Sequence, residues 1–190
     1  MSRQALFLDR DGVINIDRGY VYRQEDFEFV DGIFDLCRHA KQLGYLLFVV
    51  TNQAGIGRGL FTEDEFLSLT AWMTGVFEDQ GAAIAKVYYS PYHPDHGIGR
   101  FKLDSPLRKP RPGMLLRAAR EFSVNLSRSL SVGDQESDVQ AGIAAGVALN
   151  LLYYSPVTAP IKSSAATAIV RSLNDVVPFL DQLIVMRARE

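Results

Sequence analysis

A chain of 190 residues, 47% hydrophobic and 22% charged, has the size and composition for one buried core, not for a disordered or fibrous polymer. Its 20 Lys and Arg against 22 Asp and Glu give a net charge of -2, which excludes a global basic footprint for nucleic acid or anionic membrane. The single cysteine, Cys37, excludes an internal disulfide framework and cannot by itself build a thiolate zinc site.

In chain order, short apolar runs alternate with amphipathic stretches, the pattern of an α/β domain built on a parallel sheet. Strands are expected at 5–8, 45–50, 86–89, 129–132 and 147–153, each apolar enough to be buried on both faces. Helices are expected at 33–43, 63–79, 113–121, 137–145 and 173–185. Thr62 with Glu65 has the form of a capping box, and Gly44 and Gly146 sit where helices end. No linker or repeat divides the chain, so residues 1–190 are expected to form one domain. No run approaches the 18 apolar residues of a membrane span, and the four-residue run before Asp9 is too short for a secretory signal. A cytoplasmic monomer with no membrane or nucleic-acid partner is the expectation. The stretch 90–113 breaks the rhythm with five prolines, three glycines and two histidines, and a loop that long is usually functional.

Four strand ends carry polar residues. The first strand runs into Asp9-Arg10-Asp11-Gly12, and residues two apart on an extended chain share a side, so Asp9 and Asp11 can face one site. Taken alone, the pair also fits a solvated turn. The second ends in Thr51-Asn52-Gln53, alone a polar loop start; Arg108-Lys109 precedes a Pro-Gly-Met helix start and alone reads as a surface pair. The fourth ends in Gly133-Asp134, with Asp138 four residues on, and Asp134 alone would serve equally as a helix cap.

As a set, Asp-x-Asp, Thr, Lys and Gly-Asp-x-x-x-Asp, each at its own strand end, resemble the four motifs of the haloacid dehalogenase superfamily of phosphotransferases. The resemblance implies a Rossmann-like three-layer α/β/α sandwich with a central parallel sheet, and with only 39 residues between Asp11 and Thr51 the fold looks capless. It also implies a phosphatase with Asp9 as nucleophile and Asp11 as proton donor and later acceptor. Thr51 and Lys109 would hold the transferring phosphoryl oxygens. Magnesium would be held by Asp9, the Asp11 backbone carbonyl and Asp134, with Asp138 orienting Lys109 or metal waters from behind. Phosphate monoesters hydrolyse so slowly unaided that two-step displacement with strong electrostatic support is needed.

At finer grain the chain resembles the branch that contains the heptose bisphosphate phosphatases and histidinol-phosphate phosphatases. That likeness rests on 8–15, Asp17-Arg18-Gly19-Tyr20, Val50-Thr51-Asn52-Gln53-Ala54-Gly55-Ile56, Arg58-Gly59, Arg108-Lys109-Pro110 and Pro112-Gly113-Met114-Leu115. It implies a small-molecule sugar bisphosphate substrate, the heptose 1,7-bisphosphate losing its 7-phosphate, with histidinol phosphate or another sugar phosphate as the alternative. By the same likeness Asp17, Arg18, Gly19, Tyr20, Asn52 and Gln53 line the substrate site, and Arg108 reads the remote phosphate with a bidentate guanidinium. Relatives carry a structural zinc held as Cys-x-His and Cys-x-Cys, where this chain has Ser90-Pro91-Tyr92 and Ser105-Pro106-Leu107. No structural zinc is expected, and packing of Tyr92, Phe101, Leu103 and Leu107 with proline stiffness is expected to hold the loop. Gln135 stands where many relatives have a lysine. A phospho-accepting receiver domain also uses Asp, Thr, Lys and magnesium, but it places an acidic pair first and its phosphoacceptor on a later strand.

Overall fold

The computed structural model describes residues 3–154 and 163–187. Among them, β1 (Ala5–Leu8), β2 (Leu46–Asn52), β3 (Lys86–Ser90), β4 (Leu130–Gly133), β5 (Leu149–Tyr153) and β6 (Ala168–Val170) form one sheet. Every pairing is parallel, in the order β3-β2-β1-β4-β5-β6. Register pairs Phe7 with Phe48 on one side and with Ser131 on the other, so β1 is flanked by strands that follow it at very different distances in the chain.

Because successive strand residues face opposite sides, β1 feeds two cores. Leu6 and Leu8 join Leu47, Val49, Leu130 and Val132 beneath α1 (Ile33–Gln42), α3 (Glu63–Asp79) and α6 (Val177–Arg187). Ala5 and Phe7 join Phe48 and Val50 beneath α4 (Gly113–Phe122) and α5 (Glu136–Ala145). Helices therefore cover both faces, the expected three layers. In α1, Ile33, Leu36, Cys37 and Ala40 are buried, the i, i+3, i+4, i+7 spacing of one helix face. Thr62 and Glu65 close the predicted capping box on α3, and Gly146 ends α5 in the left-handed region. No described helix is long and apolar enough to cross a membrane.

Cys37 is fully buried, and burial pushes its thiol up to about 12. The folded protein therefore holds no thiolate at pH 8, and an aromatic disulfide reagent is expected to react only as the protein unfolds. Colour development in the native state at a rate independent of denaturant would contradict this.

Four boundaries differ from expectation in ways that matter. β2 runs two residues farther, so Thr51 and Asn52 belong to the strand itself. The last helix is interrupted: residues Leu173–Val176 form a 3-10 turn before α6, because Pro178 has no N–H to give to Asn174. The four-residue helix α2 (Ala54–Gly57) and the edge strand β6 were not expected. In the 90–113 loop, Phe101 and Leu107 pack against core residues and Tyr92 lies 6.1 Å from Phe101. Leu103 does not: it is 49% exposed, beside the surface pair of Asp104 and Arg111. Backbone hydrogen bonds from His93 to Phe101 and from Ile98 to Gly57 tie the loop instead.

Candidate active site

The order of strands reverses between β1 and β4, and in open parallel sheets that crevice beyond the carboxyl ends is where ligands collect. Asp9 leaves β1 there, its N–H donating to Val132 O at 3.0 Å. Asp134 leaves β4 beside it. Carboxylate oxygens of Asp9, Asp134 and Asp138 lie within 4.8 Å of one another. Such closeness requires Gly12, whose φ is +89°: a Cβ there would come within 2.3 Å of Asp134 Oδ2. Gly133 is needed equally, as a Cβ on it would stand 2.1 Å from that of Asp138.

One cation answers these three acids. Lys109 Nζ is 2.9 Å from Asp9 Oδ1 and 2.5 Å from Asp138 Oδ1, and donates to Val50 O at 2.7 Å. Burial works against its charge, but Asp138 and then Asp9 more than offset that and hold the ammonium above its ordinary value. Its backbone is clamped too. Asn52 accepts from Lys109 N and donates to Lys109 O, both at 3.1 Å, so β2 sets the position of a residue 57 places later. Asp138 also accepts from Gln135 N at 3.0 Å, capping α5, which makes Gln135 and not Asp134 the N-cap.

The balance remains short of positive charge. Burial, despite Lys109, pushes Asp9 up to about 8, with Asp138 and Asp134 adding repulsion. Burial and Asp138 push Asp134 up to about 6. Three hard-oxygen carboxylates against one ammonium is a donor set that fits a divalent cation such as magnesium. Lys109 and Gln135 N engage both oxygens of Asp138, whereas Asp9 meets Lys109 and Arg10 N through Oδ1 and Asp134 meets Gln135 through Oδ2, so Asp9 and Asp134 are the side chains suited to the ion.

Asp11 stands two residues from Asp9 with 22% of its side chain exposed. Gln53 reaches both Asp11 and Thr51, and Thr51 is buried at the end of β2. Beside Asp11 opens a cavity of about 230 Å³. Two other cavities, of about 330 and 440 Å³, lie along the outer edge of β3 and around Phe61, away from the acid cluster. Chemistry rather than size picks the site.

Comparison with known proteins bears on what such a site belongs to. A HAD-hydrolase-like family model matches residues 106–176. Over 180 residues, 95% of both chains, the protein is 56% identical to the D-glycero-alpha-D-manno-heptose-1,7-bisphosphate 7-phosphatase of Burkholderia mallei. It is 43% identical over 182 residues to the D-glycero-beta-D-manno-heptose-1,7-bisphosphate 7-phosphatase of Vibrio cholerae, covering 95% of this chain and 97% of that one. The chain belongs to the haloacid dehalogenase family of phosphatases. The crystal structure of D,D-heptose 1,7-bisphosphate phosphatase from B. bronchiseptica, complexed with magnesium and phosphate, superposes with a TM-score of 0.79 at 26% identity, covering 94% and 98% of the two chains.

For a phosphoric monoester hydrolase of this family, the placement of the remaining candidate residues is informative. Asp17, Gly19, Tyr20, Asn52, Gln53 and Arg108 border the 230 Å³ cavity with Asp11. Arg18 does not join them, as its guanidinium pairs with Glu28, 2.5 Å away on the surface. Asn52 and Gln53 border the cavity but spend polar atoms on Lys109, Thr51 and Asp11, so their amides are turned largely toward the protein. Arg108 is half-buried and donates to Tyr92 O at 3.2 Å, which anchors it to the proline-rich loop. Tyr20 holds a left-handed backbone with φ +55° and is hydrogen-bonded to Arg58, whose guanidinium carbon sits 5.4 Å from its ring. Arg58 and the buried Arg10 were not singled out as site residues. An arginine beside an aspartate in a turn reads as a surface pair, and only the tertiary structure buries it.

The stretches 90–92 and 105–107, where the resemblance placed a zinc loop, carry a different donor set here. Ser90 and Ser105 are buried, Ser105 Oγ accepts from Leu107 N at 3.2 Å, and His93 Nδ1 accepts from the backbone of Asp95 and His96. Hydroxyls and a turn-bound imidazole do not fit a structural zinc ion.

Proposed function

We propose that the protein is a magnesium-dependent phosphatase that removes the 7-phosphate of D-glycero-D-manno-heptose 1,7-bisphosphate, leaving heptose 1-phosphate for ADP-heptose and lipopolysaccharide core synthesis. The chemistry rests on the meeting of Asp9, Asp11, Thr51, Lys109 and Asp134 at one crevice. The choice of substrate rests on 56% identity across 95% of a heptose bisphosphate 7-phosphatase. That relative acts on the alpha anomer, and the lower 43% identity to the beta-anomer enzyme favours alpha here.

Asp9 attacks phosphorus through a carboxylate oxygen as the bond to the sugar O7 breaks, and Asp11 gives that oxygen its proton. An aspartyl-phosphate on Asp9 results. Water then attacks the same phosphorus, Asp11 takes its proton, and Asp9 is released as inorganic phosphate departs. Thr51 Oγ and Lys109 Nζ stabilise the charge on the phosphoryl oxygens throughout. Asp9, Asp134 and the Asp11 carbonyl would hold magnesium, which would supply the positive charge that this crowd of anions lacks. Arg108, at the cavity wall, takes the distal 1-phosphate.

A phosphate-release panel in magnesium tests the reading. The alpha heptose bisphosphate is expected to exceed histidinol phosphate, which has no second phosphate, in kcat/KM by about 10- to 100-fold, the worth of one charge-assisted contact, and to exceed fructose 1,6-bisphosphate through the fit of the sugar between the two phosphates. Preference for histidinol phosphate would replace the proposed substrate.

A further inference from the structure

We propose that Gln53 and Arg10 are positioning residues that hold the Asp11 carboxylate and the Thr51 hydroxyl in reacting order; this rests on the reading of Asp11 as proton donor. Gln53 is 3% exposed, and its Nε2 lies 2.9 Å from Asp11 Oδ2 and 2.9 Å from Thr51 Oγ1. Toward the ionised form of Asp11, the one that takes the proton from water, only an N–H can face Oδ2, so the amide nitrogen lies there and the orientation of the amide is fixed. Its two hydrogens are thereby used, one on each neighbour. Neither remains for a sugar hydroxyl. Thr51 Oγ receives one of them, so its own hydrogen is free to point at another acceptor, the role required toward a phosphoryl oxygen.

Asp11 is held from its other side by Arg10. The guanidinium forks onto it with Nε to Oδ2 at 3.2 Å and one terminal nitrogen to Oδ1 and Oδ2 at 2.7 and 2.8 Å. Arg10 is 1% exposed, donates also to Val21 O at 2.7 Å and lies 5.7 Å from the Phe66 ring centre. Asn15 Nδ2 adds a third donor at 3.1 Å to Oδ1. An acid whose two oxygens are anchored by buried groups cannot swing away from the cavity its remaining surface faces. Loss of that anchoring costs proton transfer specifically, because an alkoxide leaves poorly without a proton while a nitrophenolate leaves readily.

The test compares kcat/KM for the heptose bisphosphate and for p-nitrophenyl phosphate in the wild type, Asp11→Asn, Gln53→Met and the double variant. This ratio reports only the steps through leaving-group departure. Asp11→Asn is expected to lose about 10²- to 10⁴-fold more on the sugar ester than on the aryl ester. Gln53→Met should show the same bias at about tenfold, and in the double variant it should add no further bias, since it acts through Asp11. Arg10→Lys, which keeps the charge but loses the fork, should repeat the Gln53 result wherever its melting curve matches the wild type. Equal losses on both esters, or a sugar-specific loss that persists in the Asp11→Asn background, would overturn the proposal and return Gln53 to substrate binding. Absence of bias in Asp11→Asn itself would remove the proton-donor reading and this inference with it. Bias in Asp11→Asn but none in Gln53→Met would remove this inference alone.

Discussion

Asn in place of Asp9 is expected to cut phosphate release by about 10⁴-fold or more, the scale seen when a nucleophile is removed, without weakening the fold. An amide oxygen does not displace an alkoxide from phosphorus, so the first bond never forms. The fold has reason to tolerate the change. Burial, repulsion from Asp138 and Asp134, and only partial relief from Lys109 push Asp9 up to about 8, far above the value of about 3.9 expected in the unfolded chain. A carboxyl raised in this way costs the metal-free protein nothing in acid and takes away progressively more stability as pH climbs from about 4 through about 8. Asparagine fills the same space without that charge, and Lys109 keeps Asp138 and Val50 O as partners. In chelator, Asp9→Asn should therefore melt above the wild type at pH 8 and close to it at pH 5. Magnesium should raise the wild-type Tm at pH 8 and do much less for the variant. Residual turnover within a hundredfold of wild type would end the nucleophile assignment, and a lower Tm for the variant at pH 8 would end the electrostatic account.

Lys109→Met should damage both activity and stability. Removing the positive charge beside the transferring oxygens costs about 10²- to 10³-fold in kcat. Removing the one ammonium between two buried carboxylates leaves both uncompensated, a loss of about 3–5 kcal/mol where they stay ionised. Without the lysine, Asp9 rises further and takes up a proton more easily, so the stability loss should shrink between pH 8 and pH 5. Urea denaturation at the two pH values reads this out. The Asn52 clamp on the Lys109 backbone is untouched by the substitution, so a changed loop path does not confuse the result. A loss independent of pH would mean that Lys109 matters by packing.

The strands were legible because both faces of this sheet are covered, which demands continuous apolar runs such as Ala5–Leu8. β6 escaped because three residues at a sheet edge, with Ile169 half exposed, need no such run. α2 escaped because Ala-Gly-Ile-Gly has poor helix propensity and is held by its surroundings: a Cβ on Gly57 would meet Pro91 O at 2.2 Å. At the site, the resemblance to the haloacid dehalogenase motifs is what joins Asp9, Asp11, Thr51, Lys109, Asp134 and Asp138, and of these Lys109 lies not at a strand end but in the loop between β3 and α4. Direction was not readable. Asn52 and Gln53 sit where substrate residues were expected, yet much of their hydrogen bonding goes inward. Arg18 turns out to Glu28, and Arg10, next to an acid in a polar turn, is the largest fully buried side chain. Such choices depend on which neighbours arrive from distant segments.

The position of β1 also dictates how the molecule must be made. Leu6 pairs with Leu47 early in synthesis but waits for Leu130 on its other edge. Until some 120 residues more have emerged, a strand of Ala-Leu-Phe-Leu, wholly buried in the finished protein, presents an open and greasy flank. Long-range parallel pairing of this kind is slow and prone to association with other chains. The burden on chaperones, and the losses caused by slowed or truncated translation, should therefore concentrate before β4 leaves the ribosome.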